Sequence, residues 1–140
     1  MQKHYSESSP LFSILIANYN NGKYIKETLD SVYAQDYTNW EIVIVDDAST
    51  DESKEVYKEY ENDSRINIYY NEDNKGVTYT KWRCVEHAKG ELCGFLDPDD
   101  VILPQTLSLM VKTHFLDEDI SIVSSTISFL KSSSKIILSV

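Results

Sequence analysis

Glycine is scarce in this chain, four in 140 residues, and they do not cluster after the first apolar run. That ranks a nucleotidyltransferase low, because such enzymes need a glycine-rich loop there whose backbone N–H groups cradle phosphate. Cysteine is scarcer still. Cys84 and Cys93 stand in no metal-ligand or redox spacing, so both read as small buried hydrophobes in a reducing compartment. No apolar run reaches the roughly 20 residues of a membrane span. The opening MQKHYSESSP lacks the apolar core of a signal peptide and reads as a flexible leader, residues 1–10. A cytoplasmic location follows, with at most a peripheral association with the inner face of the membrane. Positive charge is also short: 13 Lys and Arg face 23 Asp and Glu, a net charge of −10. Such a surface repels nucleic-acid phosphates and anionic headgroups, which argues against both as main partners.

What is present is a globular composition, 41% hydrophobic and 26% charged, of a length that suits one domain. Short apolar runs alternate with amphipathic stretches. Residues 12–17 (FSILIA) read as a strand buried on both faces, and 41–45 (EIVIV), 66–70 (INIYY), 92–96 (LCGFL) and 120–126 (ISIVSST) as further strands. Helices are predicted between them. Residues 23–35 place Ile25, Leu29, Val32 and Tyr33 on one face. The Ser49…Glu52 spacing of a capping box opens a helix with Val56, Tyr57 and Tyr60 inward. Residues 77–89 turn Val77, Cys84, Val85 and Ala88 inward, with Gly90 as a left-handed cap. A helix begun at Pro104 buries Leu107, Met110 and Val111. The alternation implies right-handed crossovers and a mostly parallel sheet, with ligands beyond the carboxyl ends of its strands. The domain is placed at residues 11–126, and residues 127–140 are left as a strand or tail.

The segments at those strand ends are polar. Asn18-Tyr19-Asn20-Asn21-Gly22 follows the first strand, Asp46-Asp47-Ala48-Ser49-Thr50-Asp51 the second, and Asp97-Pro98-Asp99-Asp100 the fourth. Asp, Asn and Ser are ordinary turn and cap residues, and Ser49 and Asp51 are read as caps. Three acids in four positions after an apolar strand exceed what a turn needs. Crowded carboxylates demand protonation or a cation, and Mg²⁺ or Mn²⁺ suits oxygen ligands that leave room for a phosphate. Pro98 would hold Asp97 and Asp99 at a fixed separation. His87, His114, Trp82 and Trp40 read as structural: the two histidines on helices, Trp82 as packing and Trp40 at the rim of the core.

Three ordered segments carry a family likeness: FSILIANYNNGKYIKETLDSVYAQDYTNWEIVIVDDASTD, NEDNKGVTYTKWRCVEHAKGE and LCGFLDPDDVILPQTL. From about Leu11 to Leu107 the chain resembles the N-terminal portion of family 2 glycosyltransferases. The resemblance implies the GT-A fold, a Rossmann-like three-layer α/β sandwich on a mostly parallel sheet, incomplete here on its C-terminal acceptor side. It implies an inverting enzyme that binds a nucleotide-diphosphate sugar, UDP-linked, through Mn²⁺ or Mg²⁺ for transfer to a sugar or glycan acceptor, as in polysaccharide biosynthesis. Ala17, Asn18, Tyr19, Asp47, Lys81 and Asp97 would form the nucleotide-sugar site. Tyr19 would stack near the base and Asp47 would accept its imide N–H. Asp99 would bind the metal, with Asp97 on the ribose or sugar or in the metal shell.

Three departures stand out. Ala17-Asn18 replaces the family's Thr, removing a hydroxyl contact to the base. Thr80-Lys81-Trp82-Arg83-Cys84 replaces Ala-Arg-Asn-x-Gly, so Lys81 offers a positive charge without a bidentate fork. The family's catalytic base lies many tens of residues beyond the Asp-x-Asp, and the chain ends about forty residues past Asp99, so the base is expected beyond residue 140. Glu118 and Asp119 fall too early for that role. The chain is therefore expected to be a truncated form that lacks its acceptor half, and an uncovered C-terminal face would favour a homo-oligomer. Two alternatives remain: a non-catalytic nucleotide-sugar-binding remnant, and a phospho-acceptor signalling domain. The second expects its acidic pair after the first strand, whereas here it follows the second.

Overall fold

The computed structural model describes residues 9–114. Glu118, Asp119, the strand predicted at 120–126, the segment 127–140 and most of the leader lie outside the described residues. Four strands, β1 (Phe12–Asn18), β2 (Trp40–Asp46), β3 (Ile66–Tyr70) and β4 (Leu92–Phe95), alternate with four helices, α1 (Gly22–Tyr33), α2 (Ser53–Tyr57), α3 (Val77–His87) and α4 (Thr106–His114). The sheet is parallel throughout, in the order β3-β2-β1-β4.

Strand residues point alternately to the two faces, and both faces are covered, which is why the strands read as unbroken apolar runs. Phe12, Ile14 and Ile16 of β1 join Trp40, Ile42 and Ile44 of β2 in a core with Ile25, Leu29 and Val32 of α1, Tyr57 of α2, and Leu107 and Val111 of α4. On the opposite face Leu15, Val43 and Val45 pack with Cys84 of α3. The division follows from handedness. From β1 to β3 the chain steps in one direction, with α1 and α2 on one face. From β3 to β4 it returns past β1, and a right-handed crossover then requires α3 on the other face. The direction reverses beside β1, so the crevice beyond its carboxyl end is the favoured ligand position.

Several side chains depart from their predicted settings. Tyr33 is exposed rather than inward, packing edge-on against Trp40, and Trp40 belongs to the core. On α3, Val77, Trp82 and Val85 are exposed, while Thr80 is buried beside Cys84. Cys93 is exposed, not buried. His87 stacks on Tyr69 at 3.6 Å between ring centroids.

Gly90 is no left-handed cap, since the positive-φ glycine among the described residues is Gly76. It serves a close approach. Its N–H donates to Ser13 Oγ at 2.8 Å, and Ser13 Oγ donates to Glu41 Oε1 at 2.7 Å. A Cβ at residue 90 would lie 2.6 Å from Leu11 O and 2.8 Å from Leu92 O, both backbone atoms. Gly90→Ala is therefore expected to cost about 1–3 kcal/mol as overpacking, read as a lower urea midpoint at unchanged slope.

Candidate functional site

At the carboxyl ends of the two central strands, Asn18 and Asp46 face each other in register. Both are fully buried. The Asn18 amide nitrogen donates to Tyr57 Oη at 2.6 Å and to Ser53 Oγ at 3.0 Å. Tyr57 in turn donates to Asp46 Oδ2 at 2.7 Å, and Asp46 Oδ1 accepts the Ser49 N–H at 2.7 Å. Burial, and then the Asp46 charge, push the Tyr57 phenol far above its ordinary pKa, so it remains the donor. Asn18 Oδ1 is buried without a hydrogen-bond partner.

Beyond this knot the two loops are stitched together. Asn20 and Ala48 both take left-handed backbone, at φ 54° and 61°. Asn20 Oδ1 accepts the Thr50 N–H at 2.8 Å, and Asn20 N–H donates to Ser49 Oγ at 3.0 Å. Asp51 does act as a cap, twice: it accepts the N–H of Gly22 opening α1 and that of Ser53 opening α2. Ser49 does not cap α2, which begins four residues later; its hydroxyl instead ties the loops.

Asp47 is held by a third loop, the one between β3 and α3. Its Oδ1 accepts Asn71 Nδ2 at 2.6 Å and the Lys75 N–H at 2.8 Å; its Oδ2 accepts the Gly76 N–H at 2.9 Å. Gly76 sits at φ 88°, a conformation that glycine adopts without strain. Burial opposes ionisation of Asp47, but the bonds from the Lys75 N–H, Asn71 and the Gly76 N–H outweigh it and hold the carboxyl below its usual range. Its place at the start of α3 adds the favourable helix dipole.

These loops enclose a pocket of about 270 Å³. One wall is Ala17, Asn18, Tyr19 and Asp47, four of the residues singled out in the sequence; the other is Asn74, Gly76, Val77 and Thr80, which were not. Tyr19 is 46% exposed and Val77 63%, so the mouth offers aromatic and apolar surface above a buried acceptor. A flat ring carrying one polar edge fits such a slot.

The acidic loop is not part of that lining. Asp97 pairs with Lys81 at 3.3 Å. Thr28 of α1 donates to the Pro98 carbonyl at 2.9 Å, anchoring the turn. Asp99 is exposed and Asp100 is buried. The crowding inferred from the sequence is corrected here. Asp46, Asp47, Asp51 and Asp97 each have their own donors, and among the described residues no three His, Cys, Asp or Glu side chains are grouped to hold an ion. No helix among them is long and apolar enough to cross a membrane.

Known proteins share this fold. The profile of Glycosyl transferase family 2 matches residues 13–137. A putative teichuronic acid biosynthesis glycosyltransferase, TuaG of Bacillus subtilis, is 40% identical over 92 residues, covering 65% of this chain and 36% of that protein. The poly(ribitol-phosphate) beta-N-acetylglucosaminyltransferase TarS of Staphylococcus aureus is 36% identical over 110 residues, covering 76% of this chain and 19% of that protein. The chain thus spans about a third or less of the length of these two relatives. Among solved structures, S. aureus TarS 1-349 in complex with UDP superposes with a TM-score of 0.77 at 29% identity, covering 84% of this chain and 36% of that one. The mannosyltransferase PcManGT of Pyrobaculum calidifontis, in complex with GDP-Man and Mn²⁺, gives 0.70 at 25%, covering 88% and 37%. The fold shared with these neighbours is the GT-A sandwich expected from the sequence.

Proposed function

The chain belongs to glycosyl transferase family 2, and from that premise we propose that it is the donor-binding part of an inverting glycosyltransferase acting on a UDP-sugar. The observation that carries the reading is Asp47. It is a buried carboxylate whose Oδ2 keeps acceptor capacity beside the pocket, because it receives one donor where Oδ1 receives two. Uracil presents an imide N–H at one edge, and an ionised carboxylate is the strongest acceptor a side chain offers it. Tyr19 lies at the mouth, where it can cover the ring face.

The sugar diphosphate would extend from this pocket toward the Asp97-Pro98-Asp99 turn. The donors there fit a hard divalent cation of the Mg²⁺ or Mn²⁺ kind. Asp99 is an exposed carboxylate on a turn fixed by Thr28, and such ions often use one or two carboxylates and fill their remaining positions with water and phosphate. When bound, the ion would neutralise charge on the diphosphate leaving group. Asp97, paired with Lys81, would serve the ribose or sugar. Its partner keeps the local charge balanced until a phosphate competes for the lysine.

UDP with Mn²⁺, at about 100 times its dissociation constant, is expected to stabilise the protein by about 2.7 kcal/mol, raising the melting temperature by about 10 °C or more. Asp99→Ala should abolish the contribution of Mn²⁺ while leaving metal-free UDP binding in place. Thermal melts with UDP, with Mn²⁺ and with both separate these terms. No shift with UDP and Mn²⁺ together would count against the donor site as a whole.

A further inference from the structure

Behind Asp47 runs a chain of hydrogen bonds with a single direction. Arg83 on α3 donates to Asn71 Oδ1, and the same nitrogen donates to the Tyr70 carbonyl at 3.1 Å. Asn71 Nδ2 then donates to Asp47 Oδ1 at 2.6 Å and to Thr80 Oγ1 at 3.2 Å. Thr80 passes its own proton to the Gly76 carbonyl at 2.8 Å. A guanidinium has no acceptor, so Arg83 forces the oxygen of the Asn71 amide toward itself and the NH₂ toward Asp47. Asn71 is buried, 7% exposed, and Arg83 is partly so. Neither lines the pocket; both act on it through Asp47 and Thr80, which do.

We propose that Arg83 and Asn71 are positioning residues for base recognition: by saturating Asp47 Oδ1 they leave Oδ2 as the oxygen turned to the ligand, and so set the preference for a base bearing an N–H donor. The inference rests on the donor-site reading above and deepens it. Asn71 fixes one oxygen of a carboxylate that could otherwise turn about its own axis. Arg83 fixes the amide that does the fixing. Without them Asp47 would still be anchored by the Lys75 and Gly76 N–H groups, yet free to share its oxygens differently. A site built to pair with an N–H rejects a ligand lacking it because its own acceptor is then stranded. Loosening the acceptor should therefore reduce the rejection more than it reduces binding itself.

The test is calorimetric titration with UDP and with N3-methyl-UDP, in wild type, Asn71→Leu, Arg83→Met and Arg83→Lys. Wild type is expected to bind UDP at least about 100-fold more tightly than the methylated ligand, the cost of stranding a charged acceptor. That ratio should fall about tenfold in Asn71→Leu, and in the same direction but less in Arg83→Met. Arg83→Lys, which can still donate to Asn71, should restore most of it. Arg83→Met lies toward the surface of α3 and gives the answer should Asn71→Leu fail to fold. Unchanged ratios in folded variants, even with lowered melting temperatures, would overturn the proposal and leave Arg83 and Asn71 as scaffold. A wild type that binds UDP and its N3-methyl derivative equally would overturn the role of Asp47, and this inference with it. Binding of neither ligand by wild type would overturn the donor site first.

Discussion

Asp46→Asn is expected to lower the stability of the protein by about 2–4 kcal/mol, a loss of about 7–14 °C in melting temperature. The shape of the side chain hardly changes, so the effect comes from the donors it leaves behind. Asp46 accepts from Tyr57 on one oxygen and from the Ser49 N–H on the other. An amide can accept on one side only. If its oxygen faces Ser49, its NH₂ meets the Tyr57 hydroxyl and the Asn18 amide, both of which now donate toward that position. Turning the amide strands the Ser49 N–H instead. Every group involved is buried, and no water replaces the lost partner without opening the core. Tyr57→Phe removes only one donor and should cost about 1–2 kcal/mol, with the Asn18 amide losing one acceptor and keeping Ser53 Oγ. Urea unfolding of both variants checks the order. A cost below that of Tyr57→Phe would show that the knot does not hold β1, β2 and α2 together.

That knot also explains how far the sequence could be read. The strands are legible because burial on both faces leaves unbroken runs such as Ile14-Leu15-Ile16 and Ile42-Val43-Ile44-Val45. Which face of α3 turns inward is not. Val77 and Val85 are apolar at helical spacing yet exposed, while Thr80 is buried because its hydroxyl both accepts from Asn71 and donates to Gly76. A hydrophobicity pattern cannot register a threonine drawn inward by its hydrogen bonds. Gly90 looked like a cap because glycine is common there; the approach of the Leu11 and Leu92 carbonyls is a tertiary fact with no local sign.

The same limit shaped the site. That Ala17, Asn18, Tyr19 and Asp47 would share one pocket wall was legible because they sit at the carboxyl ends of β1 and β2. The opposite wall comes from one loop, and its signal was present in the Asn74-Lys75-Gly76 stretch, where a lone glycine before a helix implies a special backbone angle. Asn71 carried no such signal; its role appears only when β3 lies beside β2 and the Asn71 N–H reaches the Asp46 carbonyl. Counting acids at strand ends overstated the repulsion, since the count cannot see the phenol, amides and backbone N–H groups that meet each carboxylate.

The ligand consequence of Asp47 is the sharpest. Asp47→Asn is expected to weaken UDP binding by at least about 100-fold, and to bring UDP and CDP to within about tenfold of each other. Wild-type Asp47 should reject cytosine, because its ring N3 is an acceptor and would face a carboxylate oxygen. In the variant the amide must place its NH₂ on one side or the other. On the Oδ1 side it would confront both Asn71 Nδ2 and the Lys75 N–H; on the Oδ2 side it confronts only the Gly76 N–H. The second arrangement strands fewer donors, so the NH₂ takes the position from which the base would be met. There it repels the imide N–H of uracil and can donate to cytosine N3. The pH dependence should change in step. Asp47 is held ionised by its donors, so its contribution to stability is present above the ordinary carboxylate range and is lost as pH falls through its lowered native pKa. Asp47→Asn removes that acid-side term, and its stability should fall less steeply than wild type as the pH drops below the ordinary carboxylate range. Titration of UDP and CDP into both proteins at neutral pH, with urea midpoints at low pH alongside, gives the two readings from one pair of samples. If Asp47→Asn keeps the wild-type preference for UDP over CDP, base recognition lies with another residue of the pocket.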